Sequence, residues 1–221
     1  MSEAGQSLDV LFIGNSFTSR NNLPQLVAAL VAPRHSLRSA TIYAGGASLR
    51  RHWNAGLAQR TLASQPWDRV VLQEQSTLPL KSPQRYHENV RLFAPEIAAN
   101  GATPLLYLTW SRASVPDAQR DLTYAVETIA REIGAGVAPV GVAWHAVRTR
   151  HPDITLYDAD GSHPTPAGSY LAACVFAGTL FGVRVASPEI AQRLRIDSSV
   201  AECLHEVAWS TCEAYAPASI A

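Results

Sequence analysis

Charge is scarce in this sequence of 221 residues: only 16% are Asp, Glu, Lys or Arg, and 18 acidic side chains are matched by 18 basic ones. That balance excludes the broad positive field through which a protein binds nucleic acid or an anionic membrane surface. Cysteine is scarce too. Cys174, Cys203 and Cys212 are odd in number, unevenly spaced and set in apolar or helical surroundings, so they read as buried reduced thiols rather than a disulfide framework. No apolar stretch approaches the ~20 residues of a membrane span, and Leu171 to Phe181 reads as part of one buried helix. Met1 to Ser7 lacks the positive start of a signal peptide, which together with the reduced thiols leads us to expect a cytoplasmic protein. Also missing are a His-x-x-x-His spacing, a Gly-x-Gly-x-x-Gly fingerprint and a Gly-Lys-Ser/Thr phosphate loop. Neither a metal nor a dinucleotide nor a nucleoside triphosphate is called for, and no cofactor is expected.

What the chain does have is apolar surface: 47% of its residues are hydrophobic, enough for a substantial core, and the length suits one domain over residues 1–221. Strand-like and helix-like segments alternate along it. Leu8 to Ile13, Leu37 to Tyr43, Arg69 to Leu72, Thr103 to Thr109 and Gly136 to Val140 read as strands. Between them, Leu23 to Ala32, Leu49 to Ala63, Pro83 to Ala99, Asp117 to Ile133 and Val142 to Arg150 read as helices, and each connection is long enough for a right-handed crossover. Thr165-Pro166 has the form of an N-cap followed by proline at the first helical position, opening a helix through Phe181, and a last helix runs from Pro188 towards Ala214. The pattern predicts a three-layer α/β/α sandwich around a flavodoxin-like, five-stranded parallel sheet of order 2-1-3-4-5.

Two short stretches carry reactive groups. In Leu11-Phe12-Ile13-Gly14-Asn15-Ser16-Phe17-Thr18 an apolar run stops at Gly14, which permits a tight turn, and polar helix-starting residues follow. Ser16 then stands at the carboxyl end of the first strand, where α/β proteins bind their ligands. It is either a nucleophile or the cap of the first helix. Asp160-Gly161-Ser162-His163-Pro164 supplies an acid and a base three residues apart, able to reach one site from a single loop. A serine hydroxyl is a poor nucleophile until a neutral imidazole takes its proton; His163 is the candidate base, with Asp160 to hold the tautomer and stabilise the imidazolium. An Asx turn and a helix-capping loop is the alternative use of this pair, to which Pro164-Thr165-Pro166 also lends itself. Capping alone calls for no matching acid and base late in the chain, which favours Ser16 as nucleophile.

Gly14-Asn15-Ser16-Phe17-Thr18 resembles the first block of the SGNH (GDSL-like) hydrolases, with Asn15 where aspartate is commonest. Asp160-Gly161-Ser162-His163 is similar to the Asp-x-x-His block near the end of that family's domain. Two intermediate stretches fit as well. Gly45-Gly46-Ala47-Ser48 follows the second strand, where the family supplies a glycine N–H, and Gln73-Glu74-Gln75-Ser76 follows the third, where it usually supplies Gly-x-Asn-Asp. The resemblance runs from about Leu8 to Gly182 and rests on the order and spacing of the blocks. It implies an oxyanion held by the N–H groups of Ser16 and Gly46 and by Gln75, in the asparagine's place, with Gly45 and Gln73 as alternatives. Glutamine can donate the same bond, but its extra methylene moves the donor outward unless the backbone retreats. Gly45-Gly46 is equally suited to an ordinary turn.

Trp110-Ser111-Arg112 follows the fourth strand, so the Trp110 ring and Arg112 are candidates for a substrate wall and a polar anchor, simple packing being the other use of the ring. Trp53 and His52 either overhang the pocket or merely begin a helix. Glu74 lies between two glutamines of shared parity; it is expected to point away from the crevice as a satisfied or ion-paired carboxylate. The other histidines, His35, His87, His145, His151 and His205, are scattered and expected in surface or packing roles. The expected function is a serine esterase that removes a short acyl group, acetyl above all, from a small-molecule or carbohydrate alcohol through an acyl-enzyme on Ser16. An acyltransferase using the same groups and a non-catalytic small-molecule binding module are the alternatives, and the oligomeric state stays open.

Overall fold

The computed structural model describes residues 5–215. Five strands, β1 (Ser7–Gly14), β2 (Ser36–Tyr43), β3 (Arg69–Leu72), β4 (Thr103–Tyr107) and β5 (Gly136–Ala138), form a parallel sheet in the order β2-β1-β3-β4-β5. This is the order predicted above. Alternation along β1 shows why it lies inside the sheet: Val10 and Phe12 enter one apolar cluster, Leu11 and Ile13 the other, and all four are wholly buried. A parallel strand covered on both faces has to be apolar on both. In β4, Leu105 and Tyr107 face the first cluster and Leu106 the second.

The helices in chain order are α1 (Ser16–Ser19), α2 (Leu23–Val31), α3 (Leu49–Ala55), α4 (Leu57–Ala63), α5 (Leu78–Lys81), α6 (Pro83–Asn100), α7 (Gln119–Ile133), α8 (Val140–Arg150), α9 (Pro166–Phe181), α10 (Pro188–Arg193) and α11 (Ser198–Tyr215). The first cluster is closed by α2, α8, α9 and α11, the second by α3, α4, α6 and α7, giving the three-layer sandwich. Thirteen of the sixteen residues of α9 are buried, because helices as well as the sheet surround it. Its start follows local rules: Thr165 Oγ1 accepts from the Gly168 N–H at 3.1 Å, and Pro166 opens the first turn.

Two expected helices are each split. Gly56, at φ 71°, separates α3 from α4. The segment from Pro188 divides into α10 and α11 across Arg195, a left-handed residue at φ 58° that a continuous helix cannot contain. Strand β4 ends at Tyr107 rather than Thr109, since the chain leaves the sheet as the Gly141 N–H of α8 bonds to Leu108 O at 2.8 Å. Among the described residues no helix is long and apolar enough to cross a membrane. The order 2-1-3 puts a switch in winding between β1 and β3, and a crevice opens at their carboxyl ends.

Candidate active site

Strand β1 ends at Gly14 and α1 begins at Ser16, with Asn15 between them as the cap. Asn15 Oδ1 accepts from the Phe17 N–H at 3.1 Å, so the capping role that Ser16 could have filled belongs to its neighbour. The Ser16 hydroxyl is left for His163, whose Nε2 lies 2.8 Å away. Asn15 also donates through Nδ2 to Ala47 O at 3.0 Å, and its own N–H reaches Gln73 Oε1 at 2.7 Å. An aspartate could not make the bond to Ala47, having no N–H to give. Gly14 is required by close approach: a Cβ there would stand 2.4 Å from Thr18 Oγ1 and 2.6 Å from Gln73 Oε1. His52 of α3 is buried and grips the same turn, donating from Nε2 to Gly14 O at 2.7 Å. Burial lowers the His52 pKa, the bond to Gly14 opposes the shift, and the charge of Arg51 adds to it. His52 therefore supports the nucleophile segment from beneath instead of overhanging the pocket.

Asp160 serves both of the uses weighed for it. Its Oδ1 accepts the N–H groups of Ser162 and His163, each at 2.9 Å, in an Asx turn, while Oδ2 faces His163 Nδ1 at 2.5 Å. A carboxylate only accepts, so Nδ1 carries the hydrogen and Nε2 presents its lone pair to the donating Ser16 hydroxyl. The hydrogen bond from the His163 ring, followed by those from the His163 and Ser162 N–H groups, holds the Asp160 carboxyl well below the usual carboxylate range. Half of the Asp160 side chain, 50%, is nonetheless open to water. The loop is fixed from outside by an ion pair between Arg20 and Asp158, by the Ala113 N–H on Gly161 O at 2.9 Å and by Trp110 Nε1–H on Ser162 O at 2.9 Å. Asn21, at φ 54°, adds a bond from Nδ2 to Ser169 Oγ at 2.8 Å and so ties the nucleophile segment to α9.

Opposite this loop, the Ala47 N–H closes a turn onto Ala44 O whose third residue, Gly46, has φ 62°. Gly45-Gly46 is thus a turn, and Asn15 holds it against the nucleophile segment through Ala47. The glutamines separate. Gln73 is wholly buried; its Oε1 is taken by the Asn15 N–H and by the Thr18 hydroxyl at 3.0 Å, and its Nε2 by Glu74 O. This corrects the expectation that Gln73 could serve the oxyanion, because its side chain is wholly enclosed and its amide is turned to Glu74 O. The parity argument lapsed where β3 ends, at Leu72, since side chains alternate only within a strand. Gln75 is half-buried, with Oε1 accepting from the Thr77 N–H at 3.0 Å and the Thr77 hydroxyl at 3.1 Å; among the described residues its Nε2 has no partner. It borders a cavity of about 440 Å³ with Ser48, Arg50, Arg85, Glu88 and Asn89.

Two tryptophans need correction. Trp110 is 2% exposed and stacked between Phe17 at 4.7 Å and Trp144 at 3.8 Å, so it floors the His163 loop and cannot be a substrate wall. Trp53 turns its ring edge-on to Phe93 of α6 at 5.2 Å, in the packing of the second layer rather than over the pocket. Arg112 is exposed, one residue before the Ala113 strap on Gly161. Unforeseen were the roles of Arg20, Asn21 and Asp158, whereas Glu74 is the satisfied carboxylate expected above, buried and accepting three hydrogen bonds. Among the described residues no three His, Cys, Asp or Glu side chains gather as a metal site.

No family model matches this sequence, and no curated protein does. Solved structures do. A protein from Slackia heliotrinireducens described as an SGNH hydrolase is 34% identical, with a TM-score of 0.67 over 79% of this chain and 99% of that one. A DUF4886 family protein from Bacteroides uniformis is 21% identical, with a TM-score of 0.72 over 93% of this chain and 94% of that one. An acetyl xylan esterase from Geobacillus stearothermophilus is 16% identical, with a TM-score of 0.58 over 80% of this chain and 94% of that one. The last two share the fold alone. With 34% identity and a TM-score of 0.67 across nearly the whole of the Slackia protein, this chain belongs to the SGNH hydrolases.

Proposed function

We propose that this protein is a serine esterase that removes short acyl groups, acetyl above all, from a polar alcohol such as a sugar. The observation that carries the reading is the chain of two hydrogen bonds, 2.8 Å from Ser16 Oγ to His163 Nε2 and 2.5 Å from His163 Nδ1 to Asp160 Oδ2. Packing or capping has no need of it, since Asn15 already caps α1.

In this scheme Ser16 Oγ attacks the acyl carbon while its proton passes to His163 Nε2, and Asp160 stabilises the imidazolium. The carbonyl electron pair moves onto oxygen, where the N–H groups of Ser16 and Gly46 and the Gln75 amide donate to it. Collapse of the tetrahedral intermediate breaks the bond to the alcohol oxygen, which takes the proton from His163 and departs. Water then repeats the sequence on the acyl-enzyme, giving up its proton to His163 and releasing the acid. The cavity beside Gln75 is walled by Leu78 together with Ser48, Arg50, Arg85 and Glu88, whose polar groups can hold a hydroxyl-bearing alcohol. Arg112 is a further candidate to hold the alcohol. Acetyl xylan esterases share this fold, which favours a carbohydrate alcohol.

Hydrolysis of p-nitrophenyl acetate, butyrate and octanoate by the native chain and by Ser16→Ala tests the reading. Turnover that favours acetate and vanishes in Ser16→Ala is expected; undiminished turnover in Ser16→Ala would sink it. Release of acetate from acetylated xylo-oligosaccharides, followed with and without a free sugar acceptor, separates hydrolysis from acyl transfer.

A further inference from the structure

Glu74 touches none of the reacting groups, yet three donors converge on its buried carboxylate. Oε1 accepts from the Leu49 N–H at 3.1 Å and from the Gln75 N–H at 2.7 Å, and Oε2 accepts from Asn89 Nδ2 at 2.8 Å. Leu49 is the first residue of α3, immediately after the Gly45–Ser48 turn, and Gln75 lies in the loop that leaves β3. One carboxylate therefore joins the two segments that carry the proposed oxyanion donors. The third partner, Asn89 of α6, is itself buried and fixed by Arg50 Nε on its Oδ1 at 3.1 Å.

Stability alone does not explain a charge in this place. Burial raises the Glu74 pKa, and the bonds from Asn89, Gln75 and Leu49 with the charge of Arg50 only offset that cost. A buried paired charge commonly gives no more stability than an apolar side chain of the same volume. What a carboxylate offers is acceptors for several N–H groups at once, with a fixed distance between them.

We propose that Glu74 is a positioning residue for the oxyanion hole: its carboxylate sets the spacing between the Gly46 turn and Gln75, and so the aim of both donors at the developing oxyanion. The proposal rests on the reading of Ser16, Gly46 and Gln75 given above. Misplacing such a donor by about an ångström costs on the order of 10²-fold in rate.

A donor–acceptor swap tests it, read as kcat and KM on p-nitrophenyl acetate with thermal unfolding in parallel. In Glu74→Gln the amide oxygen can keep Leu49 and Gln75, but its NH2 meets the NH2 of Asn89. Asn89→Asp alone sets two carboxylates against each other. Together the substitutions restore a bond of reversed direction and leave an acceptor for Arg50. We expect kcat to fall about 10- to 100-fold in each single variant with KM unchanged, and most of that loss to be recovered in the double variant. A Glu74→Gln variant with native kcat overturns the proposal, as does a double variant that regains thermal stability but keeps the lowered kcat. Should Glu74→Gln fail to fold, Glu74→Asp, which withdraws the charge by one methylene, must show the same loss of kcat. Full turnover in Ser16→Ala would overturn the esterase reading itself, a result the Glu74 series cannot mimic.

Discussion

At the amino-terminal end of the sheet, Arg69, Thr103 and Gly136 at the starts of β3, β4 and β5 border a cavity of about 600 Å³, with Ala130, Cys212 and Tyr215 among its other walls. At the carboxyl-terminal end the space beside Gln75 is about 440 Å³, and the loops at this end are held by the buried Asn15, Gln73, Glu74 and Asn89, hydrogen-bonded to one another or to the backbone. The larger cavity even holds a potential nucleophile. Burial, however, pushes the Cys212 thiol pKa up, a small opposing effect coming from Thr179, so it stays protonated and unreactive. Ser16, at the opposite edge of the sheet, has an imidazole on its hydroxyl. Volume follows packing, whereas reactivity follows the partner a side chain is given.

The contrast can be broken or sharpened by measurement. The largest effect is expected from Ser16→Ala and His163→Ala, each lowering kcat on p-nitrophenyl acetate by about 10⁴-fold or more, with the double variant no worse because the two act as a unit. A markedly slower double variant would show that they act separately. Asp160→Asn should cost less, on the order of 10³-fold, since water already screens half of that side chain. Trp110→Ala removes a buried ring stacked on both faces and should lower unfolding stability by about 3–5 kcal/mol, read by denaturant titration. The same substitution frees Ser162 O, so kcat should fall in the fraction that remains folded.

Smaller still is a pH effect at His52. Its folded pKa is lowered, so below the ordinary value of about 6.5 the unfolded chain binds the extra proton and stability drops as pH falls from about 7 to about 5. His52→Gln keeps a donor for Gly14 O but no titration; its melting temperature should fall less over that range, and an equal fall would remove His52 from the account. The smallest change is expected at the other end of the sheet, where Cys212→Ala should leave kcat as it is. A large loss there would mean that the two ends are coupled.

How far such a molecule can be read from its residues depends on which forces act locally. The alternation of buried strands with helices and the helix starts at Leu23, Pro83 and Pro166 follow from apolar runs, proline and caps, and were legible. So was the meeting of Ser16 with His163 and Asp160, through the blocks that resemble the SGNH pattern. Gln73 was misjudged because it lies just past the end of β3, where alternation no longer says which way a side chain turns, and of the two uses weighed for the Trp110 ring the structure shows packing. Their settings come from groups distant in sequence, the Asn15 N–H for Gln73 and Trp144 and Ser162 O for Trp110. The break at Arg195 had no glycine or proline to announce it.

The hydrogen bond between Ser16 and His163 spans 147 residues of chain. On a ribosome β1 is the first of the five strands to be made, and the loop that brings His163 to Ser16 follows only after the whole sheet has been translated. Until then the hydroxyl is an ordinary alcohol. On the esterase reading proposed above, a nascent chain released before residue 163 should therefore show no turnover of p-nitrophenyl acetate.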